Sequence, residues 1–569
     1  MAERPSARAF PDGTAATAAP ANRADALYSV AQIRAIEAAA LATLPADTLM
    51  QRAGAAAAAC AATLLRQPSG VDALLGVPVL VVAGPGNNGG DAFECAAALA
   101  HSGCAVTALL ETQGPAEAAA DSARARALRR ARAAAAVLAL PSNDPALPPA
   151  GSLTFADFAT IDTLCTRSWA LVIDGLFGIG LTRALEGIWP EVVAAINRLD
   201  ALLMALDVPS GLDADTGSVA SLSVAAGTPP ATSGSCVAAT HTLTFIADKP
   251  GLHTGHGRDV AGSITIAALE IPAALLPAPH AWLNRPAAFD APRHRRRQNS
   301  HKGTFGDVQV IGGAAGMTGA AVLAATAALK TGSGRVLIGF VEAAQAPSMI
   351  AGHPELMCRL ADALDFSNAT VVIGPGLGNG AAAHALVARA CGTPGPLVLD
   401  ADGLNLVAAS PVLQQQLAAR GDRQATLLTP HPLEAARLLG TTAAAVQADR
   451  LAAATLLAQR FTATVILKGA GTVIAHAGSL SINPTGNPAL ASGGTGDVLA
   501  GMCGALLAQG WPAHQAALAA VWIHGAAADA LVAAGIGPVG VTASEIIDAA
   551  RTVLNALIGS ASVSPARQP

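Results

Sequence analysis

Six short apolar runs in this chain give way at once to a turn built from glycine and charged residues. They are Val77–Ala83 before Gly84, Ala170–Ile173 before Asp174, Leu202–Leu206 before Asp207, Thr370–Ile373 before Gly374, Pro396–Leu399 before Asp400, and Thr464–Leu467 before Lys468-Gly469. Each run is too short for a buried helix, and alanine-rich stretches of helical length lie between them. Such alternation predicts α/β architecture, with mostly parallel sheets covered by helices on both faces. In open parallel sheets, ligands bind beyond the carboxyl ends of the strands. The turns after these runs are therefore the first places to look for chemistry.

Further strands are predicted at Ala105–Leu110, Thr242–Ile246, Val308–Ile311, Arg335–Gly339 and Ala425–Leu428. Helices are predicted over 30–65, Gly319–Lys330, Pro432–Leu439, Asp449–Gln459, Gly496–Ala508 and His514–Ala534. A chain of 569 residues is too long for one hydrophobic core. The alternation stops around Pro286–Ser300 and then restarts. This predicts two three-layer αβα domains, at 27–285 and 296–560, with a linker at 286–295, a disordered tail at 1–26 and a further tail at 561–569. A Ser/Thr/Gly/Pro-rich stretch, Ser218–Ser235, reads as an inserted surface loop.

A hydrophobic content of 52% invites a membrane reading. The longest apolar stretches, Gly54–Leu65 and Ala314–Leu329, fall short of the roughly 20 residues of a span and read as buried helices. A net charge of −5 without long charged blocks argues against a nucleic-acid partner. The basic run Arg293–Arg297 reads as part of the linker. Eight scattered cysteines form no CxxC pair, so they are expected to be free thiols in a reducing compartment. With no basic-then-apolar leader, a cytoplasmic location is expected.

In the first half, Gly84-Pro85-Gly86-Asn87-Asn88-Gly89-Gly90-Asp91 follows a strand. Glycines let backbone amides approach a phosphate, and the helix that follows favours negative charge. The GxGxxG spacing alone is a weak dinucleotide signature, but the tight NNGGD adds two amides and a carboxylate. Asp174 and Asp207 each end a strand and precede glycine turns. Carboxylates so placed can act as general bases or hold a cation.

These segments, with Asp207-Val208-Pro209-Ser210-Gly211-Leu212-Asp213 and Lys249-Pro250-Gly251, resemble the NAD(P)H-hydrate epimerase domain. The resemblance covers nearly all of the first half and implies a Rossmann-like fold. It implies that Asn87, Asn88, Gly89, Gly90 and Asp91 line the hydrated dinucleotide, together with Gly178, Ile179, Gly180, Leu181, Thr182, Arg183 and Ala184. Asp207 would contact the nicotinamide end and transfer protons. Asn88, Asp174 and Ser210 would hold K+. Ala92 stands where the family has glycine.

The second half carries GPGLG at 374–378, LDADGLN at 399–405, TPHPLE at 429–434, LKGAGT at 467–472 and NPALASGGTGD at 487–497. The last is the sharpest. Glycines opening a predicted helix aim free amides at an anion, as phosphoryl transfer requires, and Asp497 is placed to take a proton from an attacking hydroxyl. Asp400 and Asp402 could orient the site, hold a metal or cap a helix. No Walker-type GxxxxGK[ST] occurs.

Together these motifs resemble the ribokinase-like superfamily, and within it the ADP-dependent NAD(P)H-hydrate dehydratases. The resemblance implies a ribokinase-like second domain. Ala320, Gly376, His431 and Asp497 would meet the hydrated nicotinamide. Lys468, Gly469, Ala470, Gly471, Thr472 and Gly496 would meet ADP, the co-substrate, with Mg2+. Leu433 replaces a glycine usual in the family, and Met317-Thr318 replaces a more usual aromatic.

The two resemblances imply metabolite repair. Both epimers of hydrated NADH and NADPH would interconvert, and one would be dehydrated at the expense of ADP. The competing reading is a ribokinase-like small-molecule kinase fused to a nucleotide-binding domain. A nucleotide sensor and an NAD-dependent dehydrogenase fit the motifs less well. Expected partners are these small molecules, with no nucleic acid, no membrane, and assembly as a homo-oligomer.

Overall fold

The computed structural model describes residues 25–66, 74–111, 121–139, 151–181, 183–219 and 235–559. The expected tails lie almost entirely outside these residues. So do Thr182 and most of the Ser218–Ser235 insertion.

Eighteen strands occur among the described residues, in chain order. They are β1 (Ala26–Leu27), β2 (Pro78–Ala83), β3 (Ala105–Leu110), β4 (Ser152–Asp157), β5 (Leu171–Gly175), β6 (Leu202–Leu206), β7 (His241–Phe245), β8 (Ser263–Ala267) and β9 (Ala281–Leu283). The second half adds β10 (Asp307–Gly312), β11 (Arg335–Phe340), β12 (Met357–Leu360), β13 (Thr370–Ile373), β14 (Leu397–Leu399), β15 (Thr426–Leu428), β16 (Thr464–Leu467), β17 (Val473–His476) and β18 (Ser479–Ile482).

One sheet has the order β4-β3-β2-β5-β6-β7-β8, and every pairing in it is parallel. The other has eleven strands in the order β1-β9-β18-β17-β16-β15-β14-β13-β10-β11-β12. Its β12 to β16 portion is parallel, and the β16-β17-β18 stretch is antiparallel. Parallel strands buried on both faces explain the continuous apolar runs. In β2, Val79, Val81 and Ala83 face one core, while Leu80 and Val82 face another. In β13, Val372 faces one core while Val371 and Ile373 face the opposite one. Each sheet is thus the middle of three layers.

The order of strands reverses between β2 and β5 in the first sheet and between β10 and β13 in the second. At such switch points the loops diverge to opposite faces and leave a crevice. NNGGD follows β2, Asp174 lies at the carboxyl end of β5, and GPGLG follows β13, so both crevices carry motifs singled out above.

Several expectations need correction. The 30–65 helical stretch is broken into Val30–Leu41 and Thr48–Arg66. The helix Ala513–Ala533 has 21 residues and is long and apolar enough to cross a membrane, unlike the two shorter stretches weighed above. His514, Gln515, His524 and Asp529 interrupt it, which hid its overall apolar character. Its residues Ala516–Val521, Ile523 and Ala527–Ala528 sit in the second core.

The second sheet also recruits strands from the first half. β9, at 281–283, lies inside the expected first domain but pairs with β18, and β1 pairs antiparallel with β9. The expected linker is not a free spacer either, since Phe289 and Ala291 are buried in the second core.

Two candidate active sites at the strand ends

At the first switch point, the chain turns from β2 through Gly84-Pro85-Gly86 into the helix Asn87–His101. A Cβ on Gly84 would lie 1.9 Å from the Leu176 carbonyl oxygen, and one on Gly89 would lie 2.1 Å from the Gly84 oxygen. Only glycine lets the two turns press together here. Ala92 is accommodated in the same way: a Cβ on Gly175 would come within 2.5 Å of its methyl, so the room exists because residue 175 has no side chain.

Asp207 follows β6 with φ of 67°, a left-handed conformation that non-glycine residues adopt when their surroundings hold them there. Both its carboxylate oxygens are engaged. Oδ2 accepts the Ile179 N–H at 3.0 Å, and Oδ1 lies 2.8 Å from Lys249 Nζ. Lys249 is fully buried. Its ammonium also donates to Thr244 Oγ1 at 2.6 Å, Phe245 O at 2.9 Å and Ala247 O at 3.1 Å, so the buried charge is paired and hydrogen-bonded.

A cavity of about 520 Å³ opens over this carboxylate. Asn87, Asn88, Asp91, Gly178, Ile179, Gly180, Leu181, Arg183 and Asp207 line it, and so do Arg34, Glu37, Phe245 and Leu269. Gly89 and Gly90 lie buried in the first helical turn. Ala184 is not part of the cavity wall. Burial, with the carboxylates of Asp207, Glu37 and Glu94, pushes Asp91 well above the usual carboxylate range. Burial and Asp207 push Glu37 up as well, against Arg34.

Behind the cavity, Asp174 and Ser210 are fully buried. Asp174 Oδ1 accepts the Ser210 hydroxyl at 2.7 Å and the Leu176 N–H at 3.1 Å, and Oδ2 accepts the Ser210 N–H at 2.9 Å. Burial raises Asp174 to about 6 against these hydrogen bonds. The Asn88 side-chain nitrogen donates to Leu206 O at 3.2 Å. Its Oδ1 is buried without a protein partner.

The second site forms where β13 to β16 end. The helix Thr495–Ala508 begins after Gly494, whose φ is 92°. It packs along Thr318–Lys330, so Gly501 has no space for a Cβ against Ala324 O. The two helices bring Ala320 and Asp497 to one end of the sheet. Gly376 lies against Ala320, since a Cβ on it would sit 3.2 Å from the Ala320 Cβ. Asp402 Oδ2 accepts the Gly378 N–H at 2.9 Å, which ties GPGLG to LDADG.

Lys468 is the hub. Its Nζ lies 2.7 Å from Asp400 Oδ1 and 3.9 Å from Glu434 Oε2, and 3.4 Å from where a Cβ on Gly496 would be. Asp400 Oδ1 also accepts the Thr429 hydroxyl at 2.8 Å. Burial pulls the Lys468 ammonium down, but Asp400 and Glu434 outweigh it and hold it above its ordinary range. Burial and Asp400 raise Asp497 to about 7, against Lys468. His431 caps the helix Pro432–Leu439, its Nδ1 accepting the Leu433 and Glu434 N–H groups. Burial and Lys468 lower its pKa. Leu433 and Met317, the two departures in sequence, are 45% and 40% exposed.

Glu434, Lys249, Glu37 and Arg34 join these sites although sequence reasoning assigned them no role. Lys249 and Glu434 carried a signal, since each follows a strand end inside a proline-bearing turn. Glu37 and Arg34 lie mid-helix and carried none.

Residues 46–251 match the family described as YjeF-related protein N-terminus, and residues 308–551 match the NAD(P)H-hydrate dehydratase family. A bifunctional NAD(P)H-hydrate repair enzyme of Coxiella burnetii is 35% identical over 540 residues, spanning 93% of this chain and 99% of the relative. The chain belongs to the bifunctional NAD(P)H-hydrate repair enzymes. Within that family the two halves are a Rossmann-like and a ribokinase-like α/β unit. The second half alone is 48% identical over 272 residues to an ADP-dependent (S)-NAD(P)H-hydrate dehydratase of Neisseria meningitidis, covering 47% of this chain and 90% of that one. A solved ADP/ATP-dependent NAD(P)H-hydrate dehydratase from Bacillus subtilis, co-crystallised with ATP and Mg2+, is 30% identical. It covers 48% of this chain and 98% of its own, with a TM-score of 0.43.

Proposed function

We propose that this repair enzyme interconverts the R and S epimers of hydrated NADH and NADPH in its first half and dehydrates the S epimer in its second, consuming ADP. The observation that carries the reading is geometric: the Lys468 ammonium, 2.7 Å from Asp400 Oδ1, lies 3.4 Å from where a Cβ on Gly496 would be, beside Asp497 in the first turn of a glycine-opened helix. Hydroxide leaves a ring carbon poorly and phosphate leaves well. The substrate hydroxyl attacks the β-phosphorus of ADP, its proton passes to Asp497, and the bridging P–O bond breaks to release AMP. The ring C–O bond of the substrate, now carrying phosphate, then breaks to release inorganic phosphate, a proton leaves the neighbouring ring carbon for solvent, and the ring double bond returns. The Gly493–Gly496 segment and Lys468 face the charge that develops on the transferred group. Lys468 to Thr472 hold the nucleotide.

In the first half, the hydroxyl-bearing carbon adjoins the ring nitrogen, whose lone pair can expel the hydroxyl group. Epimerisation then needs one group to protonate the departing oxygen and another to take a proton when water returns to the opposite face. Asp91, held toward its protonated form by burial, and Asp207, paired with Lys249, supply these roles.

The oxygen set of Asn88, Asp174 and Ser210 suits a hard monovalent cation, and the orphaned Asn88 Oδ1 is the strongest sign of one. K+ there would supply positive charge beside buried Asp174. Among the described residues, no group of three His, Cys, Asp or Glu side chains comes together to hold a metal ion. Mg2+ would be carried in with the ADP phosphates, as is usual for this ion, and would supply positive charge to the transferred group. A cytoplasmic location and homo-oligomeric assembly complete the proposal.

The test is absorbance at 340 nm after mixing the protein with chemically hydrated NADH. ADP-dependent recovery of both epimers is expected, faster in KCl than in LiCl. Absence of recovery with ADP or ATP, alongside phosphorylation of an unrelated alcohol, would return the second half to the small-molecule kinases.

The dehydration step also has an expected pH profile. A raised carboxylate pKa means that Asp497 is protonated, and cannot accept a proton, below about 7. kcat for dehydration should rise through pH 7 and fall ~10-fold per unit below it. Glu434, raised to about 7 as well, is coupled to the same groups, so the limb reports the cluster. A flat profile from pH 5 to 8 would exclude Asp497 as the base.

A further inference from the structure

The segment that pairs Lys249 with Asp207 continues into the second half of the chain. Asp248 Oδ1 accepts the Lys249 N–H and its Oδ2 bonds His253 Nε2, both at 2.8 Å, which fixes the turn. Immediately after it, the Thr254 hydroxyl donates to the Gly471 carbonyl at 3.0 Å, with the Ala470 carbonyl 3.2 Å away. The Gly255 N–H donates to the Ala470 carbonyl at 3.1 Å. Arg450 Nε donates to Thr254 Oγ1 at 3.1 Å, and its Nη2 reaches Leu467 O and Lys468 O at 3.2 and 3.3 Å. Thr254 and Arg450 are both buried. Gly471, with φ of 60°, has no room for a side chain, because a Cβ would lie 2.0 Å from the His253 carbonyl oxygen.

These contacts bear on the face of the loop that meets a ligand. In a trans peptide, the carbonyl and the following N–H point in opposite directions. Drawing the Ala470 and Gly471 carbonyls toward Thr254 and Gly255 turns the Gly471 and Thr472 N–H groups to the opposite side. Backbone amides oriented in this way are donors for an anionic nucleotide.

We propose that Thr254, a residue of the first half, is a positioning residue for the ADP site of the second half. Its hydroxyl sets the peptide planes of the 470–472 loop. The inference rests on the assignment of Lys468–Thr472 to the nucleotide. It makes the first half part of the dehydratase as well as a separate epimerase.

The experiment is steady-state dehydration by the full-length enzyme with ADP varied, on Thr254→Val, Thr254→Ser and Lys468→Gln. Thr254→Val keeps shape and loses the hydroxyl. Its KM for ADP should rise roughly fivefold to tenfold, the worth of one buried hydrogen bond, with kcat within about twofold. Thr254→Ser should restore the KM, and epimerisation should match wild type in both. A merely structural role would lower kcat or the folded fraction instead. Unchanged KM in Thr254→Val, with a raised KM in Lys468→Gln, overturns the inference and leaves the nucleotide site standing. Unchanged KM in both variants removes the nucleotide assignment itself. If Thr254→Val does not fold, hydrogen exchange on wild type decides. ADP should slow exchange of the Gly255 amide, and unaltered exchange overturns the inference.

Discussion

Asp497→Ala should cut ADP-dependent dehydration about 1000-fold while epimerisation proceeds at the wild-type rate. The size follows from the environment of the carboxylate. Asp497 lies in the first turn of its helix, with Asp400, Asp402 and Lys468 acting on it. Among the described residues, the other carboxylates of the cluster are already engaged, Asp400 with Lys468 and Thr429, Asp402 with Gly378, and Glu434 with the His431 N–H. The defect should fall on kcat. Removing a carboxylate beside a diphosphate relieves like-charge repulsion, so the KM for ADP should stay level or drop. Chromatographic separation of the epimers would show the R:S ratio still relaxing while 340 nm absorbance stays flat. Retention of more than a tenth of wild-type dehydration would remove Asp497 from the chemistry.

The second large effect concerns Asp207→Ala. With an equal mixture of epimers and excess ADP, the variant should recover about half of the NADH quickly and then stop at the rate of spontaneous epimerisation. Loss of the general acid–base group should slow epimerisation by ~10²–10⁴-fold. Dehydration of the S form should be unaffected, because Asp207 lines the first cavity and the Thr254 contacts to the Ala470 and Gly471 carbonyls do not involve it. The substitution also leaves the buried Lys249 ammonium without its carboxylate, although its bonds to Thr244, Phe245 and Ala247 remain. Asp207→Asn keeps the shape of the side chain and separates the proton-transfer role from folding. Uninterrupted recovery to completion in both variants would contradict the role assigned to Asp207.

Much of this arrangement was legible in the sequence, because buried parallel strands advertise themselves. β3, β6, β13 and β16 lie where the apolar runs place them. The motifs that follow are forced by sterics, as Gly84 and Gly374 show. A Cβ on Gly374 would lie 1.8 Å from the Asp400 carbonyl oxygen, so two motifs 26 residues apart are physically one structure. What the sequence hid falls into two kinds. Strands outside the strand–helix alternation, such as β1 and β9, carry no repeating pattern to mark them, and sheet context alone creates them. Groups that act through a partner are hidden as well. Lys249 looks like part of a turn until Asp207 lies 2.8 Å away, and Glu37 looks like any helical glutamate until the cavity opens beside it.

The placement of β1 bears on how the protein is made. Ala26 and Leu27 pair with Trp282 and Ala281, and Trp282 and Leu283 pair in turn with Ser481 and Ile482. On a ribosome adding ~5–20 residues per second, roughly 20–90 s separate synthesis of that first strand from the last strand it depends on. The earliest β-strand therefore emerges long before its sheet exists, and the first half can bury its own core only while an unsatisfied edge waits beside it. Synonymous changes that slow translation between the two halves should lengthen that exposure and lower the yield of active enzyme, although they leave every residue unchanged.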